Sequence, residues 1–340
     1  MSINLKELAT RLGLSPTTVS RALSGYSDVS PATRERVRQA ARDLGYEPNR
    51  AARQIALGRA DAVGIVYPVG TDYLGNPAFL EMLAGLEQRF EGANIDLLLV
   101  AARQRDELRT YDRTVRGRRV DALIVAHTEV EDARIDYLLK SGMPFLAYGR
   151  TARPEGYPWF DFDNRAGGRL TVQRLAQLGH RRIAYVHSPL RLNFARQRHD
   201  GFVDGMREAG LAVARDAVVA GGLERRAGYA AGRQLLSLPQ RPTAIVVDSS
   251  LGGVGVIRAL LDAGVAVGRE ISVLVYEGIP PDTLLHGLQV AAVMQPTPYG
   301  SGQTMGEMVL ALANGRTLAQ PHVLRQPEFV DGDSMAPPAG

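Results

Sequence analysis

The sequence of 340 residues contains no cysteine. That excludes disulfide staples and thiolate metal sites, and it leaves the compartment open. No apolar run reaches the roughly 18 residues that a membrane-spanning helix needs. The first residues, MSINLKELATRLG, place Lys6 and Glu7 where a secretory signal has an apolar block, so a cytoplasmic protein is expected. No G-x-G-x-x-G or Walker string opens a helix after a strand, so no nucleotide cofactor is expected. His127, His180 and His187 lack metal-ligand spacing. His187-Ser188 has nothing nearby to hold a base against a nucleophile. No metal, cofactor or catalytic set is expected, and an enzyme is the least favoured class.

What is present is a globular composition, 45% hydrophobic and 22% charged, in a chain long enough for two or three domains. The net charge of +4 is unevenly placed. Residues 1–60 hold ten Lys or Arg and five acids, a net +5, which leaves −1 for the rest. A basic head on a near-neutral body is the footprint of a domain that meets phosphate, although a solvated charged face gives the same count.

Three helices can be read in the head. In NLKELATRL (4–12), Leu5, Leu8, Ala9 and Leu12 repeat with a 3.6-residue period, and Gly13 ends the run. Ser15 caps a second helix and Pro16 takes its first position, where a missing N–H costs nothing. Val19, Ala22 and Leu23 face inward, while Thr17, Thr18, Ser20 and Arg21 face outward. Ser30-Pro31 repeats the device and opens a helix running to Leu44, stopped by Gly45. Two short helices around a glycine turn make a helix-turn-helix, whose second helix enters the major groove by its N-terminal end. Thr17 can then bond a base or a phosphate, and Arg21 can bridge guanine O6 and N7.

The strings LKELATRLGLSPTTVSRALSG and VSPATRERVRQAARDLGYEPNRAARQI resemble the LacI/GalR family of bacterial transcriptional regulators. The resemblance extends over essentially the whole chain. It implies a DNA-binding head, a hinge helix and a core like the periplasmic sugar-binding proteins. It places Pro16 and Thr17 at the two variable base-reading positions and Arg21 at the arginine of the T-V-S-R string. Pro16 has no polar side chain, so readout there would rest on apolar contact. Ser15, Thr18 and Ser20 are phosphate-contact candidates that position the head without specifying sequence. The hinge, Asn49 to Ala56, is too short to be helical alone. In the family it folds when two copies pair over the minor groove, the Ala51-Ala52 pair allowing close approach. Ile55 stands where the family has a wedging leucine. Asn49, Ala52 and Ile55 therefore join the DNA-contact candidates, with a plain interdomain linker as the alternative.

In the body, apolar strands near 62–68, 95–102, 121–127 and 144–149 alternate with helices. A second series runs through 182–188, 243–249 and 271–277. Near-continuous apolar strands separated by helices indicate parallel sheets covered on both faces. Ligands in such folds bind beyond the carboxyl ends of the strands, which nominates the segments holding His127, Ser249 and Gln295. The resemblance adds Phe79, in an N-P-x-F stretch, as a stacking face for a sugar ring or base. It adds Asp163 of the Asp163-Asn164 pair. It adds Arg198, whose guanidinium suits vicinal hydroxyls or a carboxylate. Arg150, in YGRT, also falls near the cleft, and Arg196 is a third cleft candidate. The chain departs from the family at two places. Ser249-Ser250 follow Asp248 where the family has Asn-Asp, and Glu277-Gly278 replace Asp-Asp.

The expected architecture is an all-α helix-turn-helix head plus an α/β core of two doubly wound parallel-sheet lobes, periplasmic-binding-protein-like. The head spans 1–48, the hinge 49–59 and the core 60–332. Lobe one takes about 60–160 and 290–320, lobe two about 161–289 and 321–332, and residues 333–340 form a disordered tail. The expected function is a homodimeric or larger repressor on a pseudo-palindromic double-stranded operator. A small-molecule effector, a sugar or sugar derivative with a purine or a sugar phosphate as the alternatives, would control it from the cleft at Phe79, His127, Arg150, Asp163, Arg198, Ser249, Glu277 and Gln295. The competing class is a sugar-binding receptor without gene control, disfavoured by the head.

Overall fold

The computed structural model describes residues 3–23, 26–46, 58–68, 76–103, 106–280, 283 and 287–338. The hinge candidates Asn49, Ala52 and Ile55 lie outside them. The chain divides into two compact units, 1–60 and 61–340.

The first unit contains α1 (Leu5–Leu12), α2 (Pro16–Leu23) and α3 (Pro31–Asp43). Each start is capped from its own sequence. Asn4 and Glu7 form a reciprocal capping box on α1. The Ser15 hydroxyl accepts from Thr18 N at 3.0 Å, and Ser30 accepts from Thr33 N at 3.2 Å. Gly13 turns the chain with φ +65°. Leu8, Ala9, Val19, Ala22, Val29, Val37 and Ala41 close one small core. Arg36 ties α3 to the end of α1 by donating to Leu12 O at 3.0 Å.

The second unit is built on two six-stranded sheets. In the first, β1 (Ala62–Pro68), β2 (Asp96–Ala102), β3 (Ala122–Val125), β4 (Phe145–Tyr148), β5 (Trp159–Phe162) and β11 (His322–Arg325) run parallel. Their order is β11-β5-β4-β3-β1-β2. In the second, β6 (Ile183–His187), β7 (Val218–Ala220), β8 (Ala244–Val247), β9 (Ser272–Tyr276) and β10 (Ala291–Met294) are parallel. The edge strand β12 (Glu328–Val330) joins β10 antiparallel. Hydrophobic burial on both faces explains why the strands read as unbroken apolar runs. In lobe two, α9 (Arg225–Leu236) and α10 (Ser250–Asp262) cover Ala184, Val186, Ile245 and Val247. The alternate residues Ile183, Tyr185, Ala244 and Val246 pack under α7 (Asn164–Gln177) and α8 (Asn193–Glu208). In lobe one, α4 (Pro77–Glu91) and α11 (Pro298–Ala313) cover Val63, Ile65, Ile124 and Leu146. The helices α5 (Glu107–Arg116) and α6 (Ala133–Ser141) complete that lobe.

Two expected boundaries move. The chain crosses between lobes at 163, 295–297 and 326–327, because β10 pairs with β9 in lobe two and β11 pairs with β5 in lobe one. Strand pairing, which the apolar run at each strand does not encode, decides the lobe. The tail expected to be disordered is docked over its described part, 333–338. Ser334 is fully buried. Its hydroxyl donates to Val273 O at 2.6 Å and accepts from Ala291 N at 2.8 Å, stitching β9 to the start of β10. Ala336 O takes bonds from His180 Nε2 at 2.9 Å and Ser272 Oγ at 3.1 Å. Buried backbone groups need partners, and this segment supplies them. Ser334→Ala leaves Ala291 N–H unsatisfied and is expected to cost about 1–3 kcal/mol, read as a lower urea midpoint.

Candidate functional site

The carboxyl ends of both sheets face a cavity of about 230 Å³ between the lobes of the second unit. Tyr67 is the penultimate residue of β1 and Phe79 lies in the first turn of α4; their rings pack with centroids 4.2 Å apart. His127 follows β3 with φ +51°, a left-handed backbone held by Arg134, which donates to His127 O at 2.9 Å. Arg134 is itself fixed by Asp132 at 2.6 Å and Glu107 at 2.6 Å. Burial, and then the Arg134 charge, lower the His127 pKa to about 4, so the ring is a neutral hydrogen-bonding group at physiological pH.

On the opposite wall stands Arg198, 3% exposed, from α8. Its Nε donates to Asn164 Oδ1 at 2.8 Å, its Nη1 to Asp248 O at 2.5 Å and its Nη2 to Glu277 Oε1 at 2.6 Å. The guanidinium lies 3.6 Å from the Tyr276 ring centre and 4.9 Å from that of Phe194. Burial pushes the Asp248 carboxyl up while the Arg198 charge pulls it down. Both Asp248 oxygens are occupied by Ser188, through N at 2.7 Å and Oγ at 2.7 Å.

Six of the eight expected cleft residues line the cavity: Phe79, His127, Arg198, Ser249, Glu277 and Gln295. Arg150 and Asp163 do not. Arg150 is drawn sideways by Asp161, with Nε at 2.7 Å from Oδ2, and by Gln197 at 3.1 Å, and it lies over Trp159. Asp163 caps α7, its Oδ1 accepting from Ala166 N at 3.0 Å. Their neighbours Asp161 and Asn164 take the lining positions instead. Arg196 is exposed on α8. Asp161 had a legible signal, a lone carboxylate in the apolar strand Trp159-Phe160-Asp161-Phe162, while Thr128 and Phe194 fall in segments that follow strands and Tyr148 ends β4. Ser249 is committed as the α10 cap and donates to Gly222 O.

The lobes also meet beside the cavity. Asn193 N donates to Thr128 O at 2.9 Å, and Val130 N to Arg191 O at 2.9 Å. Asn193 Nδ2 donates to Arg150 O at 2.8 Å.

In the first unit, Pro16, Thr17, Ser20 and Arg21 are exposed on α2, and Thr18 is half-buried. Ser15 and Thr18 hydroxyls lie 2.8 Å apart, so these two phosphate candidates already bond each other. Arg21 pairs with Asp28 at 2.9 Å and lies 5.2 Å from the Tyr26 ring centre.

Two family profiles match. "Bacterial regulatory proteins, lacI family" covers residues 4–49, and "Periplasmic binding proteins and sugar binding domain of LacI family" covers 60–328. The HTH-type transcriptional regulator RafR of Escherichia coli is 41% identical over 99% of this chain and 100% of its own. A crystal structure of a putative transcriptional regulator from Yersinia pestis is 40% identical, covers 83% of this chain and all of that one, and superposes with a TM-score of 0.76. The transcriptional regulator CelR in complex with cellobiose is 27% identical, covers 98% of this chain and 99% of its own, and has a TM-score of 0.73. Among the described residues no helix is long and apolar enough to cross a membrane. The chain belongs to the LacI family of bacterial regulatory proteins, as a helix-turn-helix transcriptional regulator with a periplasmic-binding-protein-like core.

Proposed function

We propose that the chain is a homodimeric repressor that reads a pseudo-palindromic operator with α2 and is controlled by a carbohydrate in the interlobe cavity. The observation that carries the effector half is the cavity wall. Aromatic faces (Tyr67, Phe79, Tyr148 and Phe194) stand beside hydroxyl-bonding groups (Asn164, Arg198, Glu277 and Gln295). That pairing suits a sugar, whose ring has apolar faces and a polar rim. The related transcriptional regulator CelR forms a complex with cellobiose, a sugar. The DNA half rests on the exposed first turn of α2 and on the basic charge of residues 1–60. Such a protein acts where the chromosome is, in the cytoplasm.

A ligand that prefers one lobe arrangement couples to DNA binding, and the coupling is reciprocal. The six cleft residues above are the proposed effector contacts. Pro16, Thr17, Ser20 and Arg21 are the proposed DNA contacts, with Ser15 and Thr18 fixing the helix start. Arg21 must exchange Asp28 for a base or phosphate on binding. Thr17→Ala and Arg21→Ala are each expected to weaken specific operator binding by roughly 5- to 150-fold, in fluorescence anisotropy against DNA from upstream of the gene. Effector-dependent thermal stabilisation should stay unchanged in both. Wild-type binding that is insensitive to sequence would refute the repressor reading. The effector half fails if no sugar in a broad panel raises the melting temperature.

A further inference from the structure

We propose that the interlobe cavity selects an uncharged polyhydroxylated ligand over phosphorylated and carboxylated ones, and that Glu277 sets this selectivity. The proposal deepens the effector reading and rests on it for the identity of the site.

Two features of the cavity would, taken alone, attract anions. One is the buried guanidinium of Arg198, the side chain best shaped for phosphate and carboxylate. The other is the convergence of helix N-termini. The cavity lining includes Asn76, Asn164, Phe194, Ser250 and Pro298, each at the start of a helix. The geometry cancels both. Glu277 meets Arg198 directly at 2.6 Å. Its backbone is turned into the left-handed region, φ +67°, and Gly278 follows at +66°. The fully buried Asp248 presses on the same guanidinium, its backbone oxygen taking Nη1. Tyr276 and Phe194 lie on the guanidinium faces. Across the cavity Asp161 is matched by Arg150 at 2.7 Å, and Glu224 stands exposed at the rim. Two arginines thus face four carboxylates. Four helix starts are also satisfied from within the chain, by the side chains of Asn76, Asp163, Ser249 and Thr297.

An anionic oxygen can only accept hydrogen bonds, so it meets the Glu277 and Asp161 carboxylates as a like charge. A hydroxyl both donates and accepts. It can donate to a carboxylate oxygen and accept from the remaining N–H groups of Arg198 or from the Asn164 and Gln295 amides. The Glu277 side chain reaches the guanidinium itself.

The test compares full-length wild type and Glu277→Gln, which keeps size and removes the charge. Melting temperatures and calorimetric affinities are measured with glucose and glucose 6-phosphate, galactose and galacturonate, and cellobiose. Sodium phosphate is titrated against sodium chloride at constant ionic strength. In the wild type each anion should bind at least tenfold more weakly than its neutral parent, and phosphate should stabilise no more than chloride. In Glu277→Gln the gap should close by tenfold or more, and phosphate should become stabilising. Wild type that takes a phosphorylated sugar as well as its parent overturns the proposal, as does a folded Glu277→Gln that gains no phosphate response. If no sugar of either kind binds the wild type, the effector reading fails, while the phosphate arm still decides the charge claim. Should Glu277→Gln not fold, the wild-type pairs and the wild-type phosphate titration decide it.

Discussion

Arg198→Ala is expected to destabilise the core by about 3–5 kcal/mol, the cost of leaving a buried partner uncompensated. Arg198 is 3% exposed and holds Asn164, Asp248 O and Glu277 at once. Its loss leaves Asp248 buried beside no cation and Glu277 facing Tyr276. For a unit of this size the melting temperature should fall on the order of 10 °C. Trp159 is the sole tryptophan and lies in β5, so its fluorescence follows this unfolding. Arg198→Met/Glu277→Gln should recover part of the loss, since removing both partners costs less than removing one. The same single variant should abolish effector-dependent stabilisation. An Arg198→Ala protein with wild-type stability and ligand response would refute the assignment of Arg198 as the anchor of this wall.

Gly201→Ala is the second large effect. In a helix interior alanine is ordinarily favoured over glycine by up to about 1 kcal/mol. Here a Cβ on Gly201 would fall against Arg165 O, and one on Gly168 against Arg198 O. These glycines let α7 and α8 approach backbone to backbone. The obstacle is a carbonyl and cannot swing aside, so overpacking wins and the net cost should be about 3 kcal/mol. Because α7 begins with Asn164 and α8 carries Arg198, separating the helices also pulls apart one wall of the cavity. Effector affinity should fall along with stability. Gly92→Ala is the control. Gly92 has φ −64° and open space around its would-be Cβ, so that change should be neutral or slightly stabilising.

Much of the architecture was legible because it is local. Ser15-Pro16 and Ser30-Pro31 start helices by bonds within three residues, and Gly13 and Gly45 end them with positive φ. Seven strands, β1–β4, β6, β8 and β9, could be placed to within a residue or two from their apolar runs, whereas β5, β7, β10, β11 and β12 were not read. Phe79, His127, Arg198, Ser249, Glu277 and Gln295 line the cavity because each lies in a segment that follows a parallel strand. The carboxyl end of a parallel strand points to the cleft whatever its partners.

One misplaced residue was decided by a local cap and the other by contacts distant in sequence. Asp163 and Asn164 are neighbours, yet only Asn164 faces the cavity, because the first turn of α7 takes the Asp163 carboxylate as its cap. Arg150 is drawn off by Asp161, eleven residues on, and by Gln197 in the other lobe. The tail 333–338 carries no pattern of its own and is ordered because Ser334 bonds backbone groups of β9 and β10 and Ala336 bonds the Ser272 hydroxyl. The sequence by itself determined the capped head, the alternation of strands and helices and the family. Tertiary structure alone decided which strand joins which lobe and which carboxylate draws Arg150 away from the cavity. It also brought Glu277 against Arg198. Caps and periodicities are satisfied within a few residues, whereas pairing, burial and charge compensation depend on groups that only folding brings together.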